Sequence, residues 1–399
     1  MTPHVLIIAD GRSPTARSWI RNIQSLGFVV SLVSTYYCEP PIGLRRFSVI
    51  PVAFSQFGSG SGKLVRSKNP LRKYKQRLSP LLQKLRYILG PLTLLRFAQS
   101  YRNLVENLQP DLVHALRLPF EGMLAAYTPR DIPCLMSTWG NDLTLHAKGS
   151  LLMRYFTRRC LERADGLTSD TQRDLHLAAS WGLDPASPTL VTPGSGGLDL
   201  AAVQTASASD VDQFEAQKKG CWVINPRGWR PGSVHQDVFF AAIPKVLAEF
   251  PDCHFICPSL AGNPSAEIWV ERYGIKKNTT LLPRLPQSQL WSLYKQADVF
   301  VSPSSHDGTP NTLLEAMACG CFPVVGNIES LREWITDDVN GLLVDPRSPE
   351  ALARGILTAL KQQELRQSAA NRNLEIIRSR AAQSATLPKI KVFYGQFLD

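Results

Sequence analysis

No apolar run in this 399-residue chain approaches the ~18 residues of a membrane-spanning helix, so no integral membrane protein is expected. The opening residues, MTPHVLIIADGRSP, have a five-residue apolar run but no basic n-region or small-residue cleavage site, so no secretory leader is expected. The eight cysteines (38, 134, 160, 221, 253, 257, 319 and 321) form no C-x-x-C pair, and no two histidines have H-E-x-x-H spacing. Both lacks argue against a zinc site, and scattered cysteines in a chain this long read as reduced, buried thiols of a cytoplasmic protein. The first β-α turn has no G-x-G-x-x-G, Gly11 being its only glycine, which counts against a nicotinamide or flavin enzyme. Residues 58–63, GSGSGK, do not make a phosphate loop: Phe57 stands where the first glycine should be, and Leu64 replaces the magnesium-holding Ser or Thr.

Acidic residues are missing from one long segment. Residues 40–105 hold no Asp or Glu but thirteen Lys or Arg, leaving 31 basic against 33 acidic residues elsewhere. The net charge of +11 is therefore local, and it localises an anionic partner. Within the segment, residues 63–97 carry ten basic side chains, and Arg86 and Arg96 flank an uncharged, mostly apolar run from Tyr87 to Leu95. Cations flanking apolar residues suit an anionic membrane surface. Pro80 and Pro91 predict two short pieces in place of one continuous helix. A solvated loop with a packed helix is the plain alternative. Nucleic acid is not expected, since no recognition module accompanies the charge.

What is present reads as α/β. Apolar residues make up 44% and charged residues 19%, a globular composition, and the length suits two domains. Short apolar runs predict strands at 4–9, 29–33, 112–115, 134–138, 166–169 and 189–192, with a helix from Thr15 to Leu26. The small, polar stretch 201–219 predicts a linker. Strands are then expected at 222–225, 254–257, 280–282, 299–302, 323–325 and 341–344, with helices over 237–250, 287–296, 311–318 and 350–362. The pattern predicts two doubly wound, Rossmann-like domains facing a central cleft: 1–200, linker 201–219, and 220–380, with 381–399 returning to the first domain.

The chemistry concentrates in residues 302–346, SPSSHDGTPNTLLEAMACGCFPVVGNIESLREWITDDVNGLLVDP. A strand ends at Ser302, Thr309 is placed to N-cap, and Pro310 suits the first position of a helix over Asn311–Ala318. Free N–H groups and a positive dipole end make that helix start a seat for a diphosphate, and Gly308 permits close backbone approach. Asp307 and Glu315 could reach opposite ends of one elongated ligand, a carboxylate being suited to a vicinal diol. Two solvated acids beside a capped helix are the alternative.

This stretch resembles the E-x7-E motif of retaining glycosyltransferase family 4, the group 1 enzymes of GT-B fold. Glu333-Trp334-Ile335, Asn340 to Val344 and Pro346 continue the likeness, with weaker echoes at Pro110–His114, Trp139–Asp142, Pro193–Asp199 and Ala297–Val299. The resemblance implies that Glu315 binds the nucleotide ribose, that Asp307 lies beside the donor sugar, and that amides at Asn311, Thr312 and Leu313 hold the diphosphate. Asp307 is one methylene shorter than the family's commoner Glu. Arg227 matches the family's phosphate-binding Arg, and Arg230 or His235 stands in for a Lys missing at its spacing. Gly11, Arg12, His114 and Asp142 are acceptor-side candidates, although Leu116 and Trp139 occupy positions where relatives often carry His. For His114, a satisfied core histidine is an equal reading. The implied activity is retaining, metal-independent transfer from a nucleotide-sugar, UDP being the commonest, to a glycan or lipid-linked acceptor in envelope or polysaccharide synthesis. The nucleotide-sugar is a substrate, and no cofactor or metal is expected. The implied location is the cytoplasm, with peripheral attachment to the inner membrane face. A catalytically inactive binding or scaffold protein, and a GT-B epimerase or phosphorylase, are the alternatives.

Overall fold

In a computed structural model, residues 2–55, 85–206 and 220–398 are described. The chain divides into two compact units, Met1–Gly197 with Thr386–Asp399, and Leu198–Ala385. Each is a parallel sheet with helical connections.

The first unit has seven strands: β1 His4–Ala9, β2 Val29–Ser34, β3 Arg46–Val49, β4 Leu112–Ala115, β5 Cys134–Thr138, β6 Gly166–Ser169 and β7 Thr189–Val191. Their order is β3-β2-β1-β4-β5-β6-β7, all parallel. All six residues of β1 are buried, as expected of a central strand covered on both faces, so it reads as an unbroken apolar run. The Pro14–Ser25 helix is capped by Ser13, whose hydroxyl accepts the Ala16 N–H, with Pro at its first position. β3 lies inside the basic segment and is absent from the expected set. It is an edge strand of four residues beginning at exposed Arg46.

The second unit has six strands: β8 Trp222–Ile224, β9 His254–Cys257, β10 Thr279–Leu281, β11 Val299–Ser302, β12 Phe322–Gly326 and β13 Leu342–Val344, in the order β10-β9-β8-β11-β12-β13. Phe239, Phe240 and Phe255 fill one side of its core, and Tyr294, Phe300 and Leu313 the other.

The strand order reverses between β1 and β4 in the first unit and between β8 and β11 in the second. In doubly wound sheets, ligands bind outside the carboxyl ends of strands at such reversals. The residues after β1 and β4, and after β8 and β11, therefore matter most.

Three expectations change. Residues 201–206 do not begin a linker: a helix runs over Leu200–Thr205, capped by Asp199, which accepts the Ala202 N–H at 3.0 Å. Residues 207–219 lie outside the described residues, as do 56–84 and with them eight of the thirteen basic side chains of the 40–105 segment. The described end of that segment is helical over 85–89, turns at Gly90-Pro91, and continues as the Leu92–Leu108 helix. Lastly, Thr309 does not cap the Asn311–Ala318 helix. Pro310 is its N-cap residue, and the Thr309 hydroxyl instead accepts the indole N–H of Trp334 at 2.8 Å.

Candidate functional site

In the second unit, Arg227 follows β8 and Asp307 follows β11, on neighbouring strands at the reversal. The Arg227 guanidinium is buried and forks between two partners: Nη1 donates to the Thr312 hydroxyl at 3.0 Å, and Nη2 donates to Asp307 Oδ2. Its Nε is buried with no hydrogen-bond partner. A buried guanidinium N–H without an acceptor is costly, and an anion at the helix start would satisfy it. Ser304 Oγ also donates to Asp307, at 3.1 Å, and Ser330 Oγ donates to the Asp307 carbonyl at 2.8 Å. The loop carrying Asp307 is thus pinned by side chains from three directions.

The β8 side is held equally firmly. Asn225 Nδ2 donates to Gln236 Oε1 at 2.8 Å, and Gln236 Nε2 donates to the Gly228 carbonyl at 2.7 Å. Gly228 needs its glycine: its φ is +60°, in the left-handed region. His235 Nε2 lies 2.9 Å from Ser305 Oγ, and its backbone N–H donates to the Pro303 carbonyl at 3.0 Å. His235 thereby joins the loop to β11. Arg230 sits in an exposed turn whose carbonyl accepts the Ser233 and Val234 N–H groups.

Glu315 lies inside the Asn311–Ala318 helix and is buried at 6% exposure. Burial pushes its carboxyl up to about 7, against the opposing pull of the Gln287 side chain, which donates to Oε1 at 2.8 Å. Asp307 and Glu315 are therefore not two solvated acids. At the helix start, the Leu313 N–H already donates to the Pro310 carbonyl at 2.9 Å, which removes Leu313 from the expected diphosphate set. Gly308 is buried, and its N–H lies 3.2 Å from Asp307 Oδ1. Among the described residues, no group of His, Cys, Asp and Glu could hold a metal ion.

In the first unit, the Gly11 N–H donates to Ser34 Oγ at 3.1 Å. A Cβ at Gly11 would lie 2.6 Å from Cys38 Sγ, so the position excludes a side chain. Arg12 pairs with Asp10 and lies flat on Tyr36, 3.5 Å from the ring centroid. Arg86 reaches the same ring at 5.7 Å and Phe120 at 4.7 Å. Arg117, just after β4, donates to Asp142 at 2.9 Å.

Residues 234–375 match the family model described as glycosyl transferases group 1, and residues 10–194 match the glycosyl transferase 4-like domain. The chain belongs to the group 1 glycosyltransferase family. A D-inositol 3-phosphate glycosyltransferase of Xylanimonas cellulosilytica is 32% identical over 253 residues, covering 61% of this chain and 56% of that protein. The enzyme of the same name from Segniliparus rotundus is 26% identical over 211 residues, 50% of this chain and 45% of its own. The O-antigen chain mannosyltransferase B of Escherichia coli is 33% identical over 109 residues, 27% and 28% of the two chains. The chain thus spans about half the length, or less, of these curated relatives. Among solved structures, Anabaena HepE in complex with UDP superposes with a TM-score of 0.72 at 14% identity, covering 99% and 100% of the two chains. Sucrose-phosphate synthase from Thermosynechococcus elongatus gives 0.74 at 16% identity, covering 99% of each. These likenesses give the fold, which is GT-B.

Two acceptor-side expectations for this group 1 glycosyltransferase need correction. His114 is fully buried: Nδ1 lies 2.6 Å from the Tyr394 hydroxyl and Nε2 2.8 Å from Ser137 Oγ. Burial lowers its pKa to about 3, so it is a neutral core histidine with no nitrogen left for a ligand. Asp142 is also fully buried, accepting from Arg117 Nε and from the Leu118 and Trp139 N–H groups at 3.2 and 3.1 Å. It orients Arg117 and the loop after β5. Arg117 is not among the residues the sequence singles out, and Arg86 stands there only as part of the basic segment, not beside Arg12 and Tyr36. Arg117 carries a faint signal, lying two residues beyond a short apolar run; nothing in the sequence puts Arg86 beside Tyr36, because only folding brings them together.

Proposed function

We propose that this protein is a retaining, metal-independent glycosyltransferase that takes its sugar from a nucleotide-sugar, with UDP as the nucleotide. One observation carries the reading: buried Arg227, at the strand-order reversal, links Asp307 to Thr312 at a helix start and keeps one N–H without an acceptor. That is a fitting place for a diphosphate, with Glu315 farther along the helix for the ribose hydroxyls and Asp307 for the sugar. The titles of the HepE structures name UDP and UDP-glucose, which supports the choice of nucleotide. Asn311 and Thr312 join Arg227 on the phosphates, and His235 holds the β11 loop. Arg12 and Arg117, after β1 and β4 of the first unit, are our acceptor-side residues.

In the step we propose, the acceptor hydroxyl oxygen bonds to the anomeric carbon on the face from which the diphosphate leaves. The carbon–oxygen bond to phosphate breaks with its electron pair going to the diphosphate, and a phosphate oxygen takes the acceptor's proton. Arg227 and the helix start stabilise the growing charge; every ~1.4 kcal/mol supplied there is a factor of ten in rate. The acceptor is a glycan or a lipid-linked sugar of envelope or polysaccharide synthesis, reached with residues 63–97 on an anionic membrane at its cytoplasmic face. No cofactor takes part.

The test is proton NMR of a UDP-sugar incubated with the protein and no acceptor. We expect slow release of the free sugar with the donor's anomeric configuration. Release of the opposite anomer contradicts retention, and an epimerised but intact sugar nucleotide makes the protein an epimerase.

A further inference from the structure

On the first unit, away from both sets of residues above, an open groove of about 720 Å³ is lined by Arg102, Arg130, Arg158, Arg159, Arg163 and Tyr127. Glu106 and Glu162 also line it, so arginines outnumber acids there. Two of the five arginines are committed. Arg158 pairs with Glu162 at 3.1 Å, and Arg163 pairs with Asp165 and caps the carbonyls of Pro129 and Ile132. Arg102, Arg130 and Arg159 have no carboxylate partner among the described residues. The guanidiniums of Arg102 and Arg159 lie 5.7 and 5.2 Å from the Tyr127 ring centroid. The Tyr127 hydroxyl is buried without a hydrogen-bond partner. Three guanidiniums without a carboxylate partner line one groove, two of them beside the Tyr127 ring, and together they form a site for a phosphate group.

The source of the phosphate is indicated by the neighbours. Arg102 and Glu106 come to the groove from the Leu92–Leu108 helix, and Arg158, Arg159, Glu162 and Arg163 from the Leu151–Arg163 helix. Arg102 of the first helix and Arg159 of the second reach the same Tyr127 ring. Leu95 precedes Arg102 by seven residues and Leu151 precedes Arg158 by seven, so each shares a helix face with a groove arginine, two turns away. Both are exposed, Leu95 at 59% and Leu151 at 83%, and Ile88, Leu92 and Tyr155 are exposed as well. A soluble phosphate compound gives no reason for large apolar side chains in water beside its site; a phospholipid layer does.

We propose that this groove binds the phosphate of an anionic membrane phospholipid, with Leu95 and Leu151 entering the interface beside it. The proposal extends the membrane reading above but stands on other residues, so the two can fail separately. Neutralising Arg72, Lys73 and Lys75 tests the basic segment; neutralising Arg130 and Arg159 tests the groove.

The experiment is flotation of the full chain with vesicles of phosphatidylcholine alone or mixed equally with phosphatidylglycerol. We expect binding only to the mixed vesicles. Arg130→Gln with Arg159→Gln should weaken it about thirtyfold, since each basic residue near such a surface contributes about a factor of five. Leu95→Asp should weaken it too, with far-UV circular dichroism and UDP affinity unchanged in both variants. Flotation of Arg130→Gln/Arg159→Gln equal to the parent overturns the proposal. So does release of bound protein from the vesicles by millimolar inorganic phosphate with no change in ionic strength, because the site would then serve a soluble phosphate.

Discussion

Glu315, buried inside a helix, works against the fold when its carboxyl is ionised. Its carboxyl is raised from an ordinary 4.5 to about 7, chiefly by burial. The folded state therefore holds the proton longer than the unfolded chain does. This contribution to stability is fully present below pH 4.5 and is lost as pH rises through 7, amounting to about 3 kcal/mol. Glu315→Gln should remove the pH dependence, leaving the unliganded variant more stable than the parent at pH 8 and near parity at pH 4. Urea titrations at the two pH values check this. Arg227 makes the complementary case. Arg227→Lys keeps the charge but cannot fork between Asp307 and Thr312, and should cost UDP affinity about tenfold, ~1.4 kcal/mol. Arg227→Ala leaves the Asp307 carboxylate without its ion pair and should also lower stability by roughly 2–4 kcal/mol. Parent-like UDP affinity in Arg227→Lys would mean that the fork geometry is immaterial.

Among the elements, the C-terminal helix Gln383–Gly395 is tied to the first unit through Tyr394. Trp19 Nε1 donates to the Tyr394 hydroxyl at 3.0 Å, and an assignment that satisfies every atom has Tyr394 donating to His114 Nδ1, His114 Nε2 to Ser137, and Ser137 to Thr168. Tyr394→Phe leaves the Trp19 and His114 nitrogens buried and unpaired, so it should cost about 1–3 kcal/mol in urea unfolding. Such long-range bonds mark where sequence reading stops. β1, β4, β5, β6, β9 and β11 were legible to the residue because central parallel strands are buried on both faces and read as continuous apolar runs. β3 pairs on one edge only, mixes Arg and Ser with Phe and Val, and carried no such signal. The Leu200–Thr205 helix hid in a stretch whose small residues looked like a linker. Asp142 and His114 looked available because their charge and chemistry are visible in sequence, whereas the Arg117 and Tyr394 that occupy them are distant along the chain.

At the scale of the molecule, two parallel sheets each reverse strand order once, and the arginines follow the strands at those points: Arg227 after β8, Arg12 after β1 and Arg117 after β4. The motif around Asp307 and Glu315 was legible because a strand end, a tight loop and a helix start lie consecutively along the chain. Arg227, eighty residues earlier, reached the same place only through the resemblance to a family, since spacing says nothing about neighbours across a sheet. The account's central claim is that the second unit is a nucleotide-sugar site built on Arg227 and Glu315. Calorimetric titration of UDP, GDP and ADP into the parent and into Glu315→Ala tests it most directly. The account predicts saturable binding with UDP tightest, and a loss of about tenfold or more in the variant as the ribose hydroxyls lose their acceptor. A well-folded parent that binds none of the three, or a Glu315→Ala variant that binds UDP as the parent does, would contradict it.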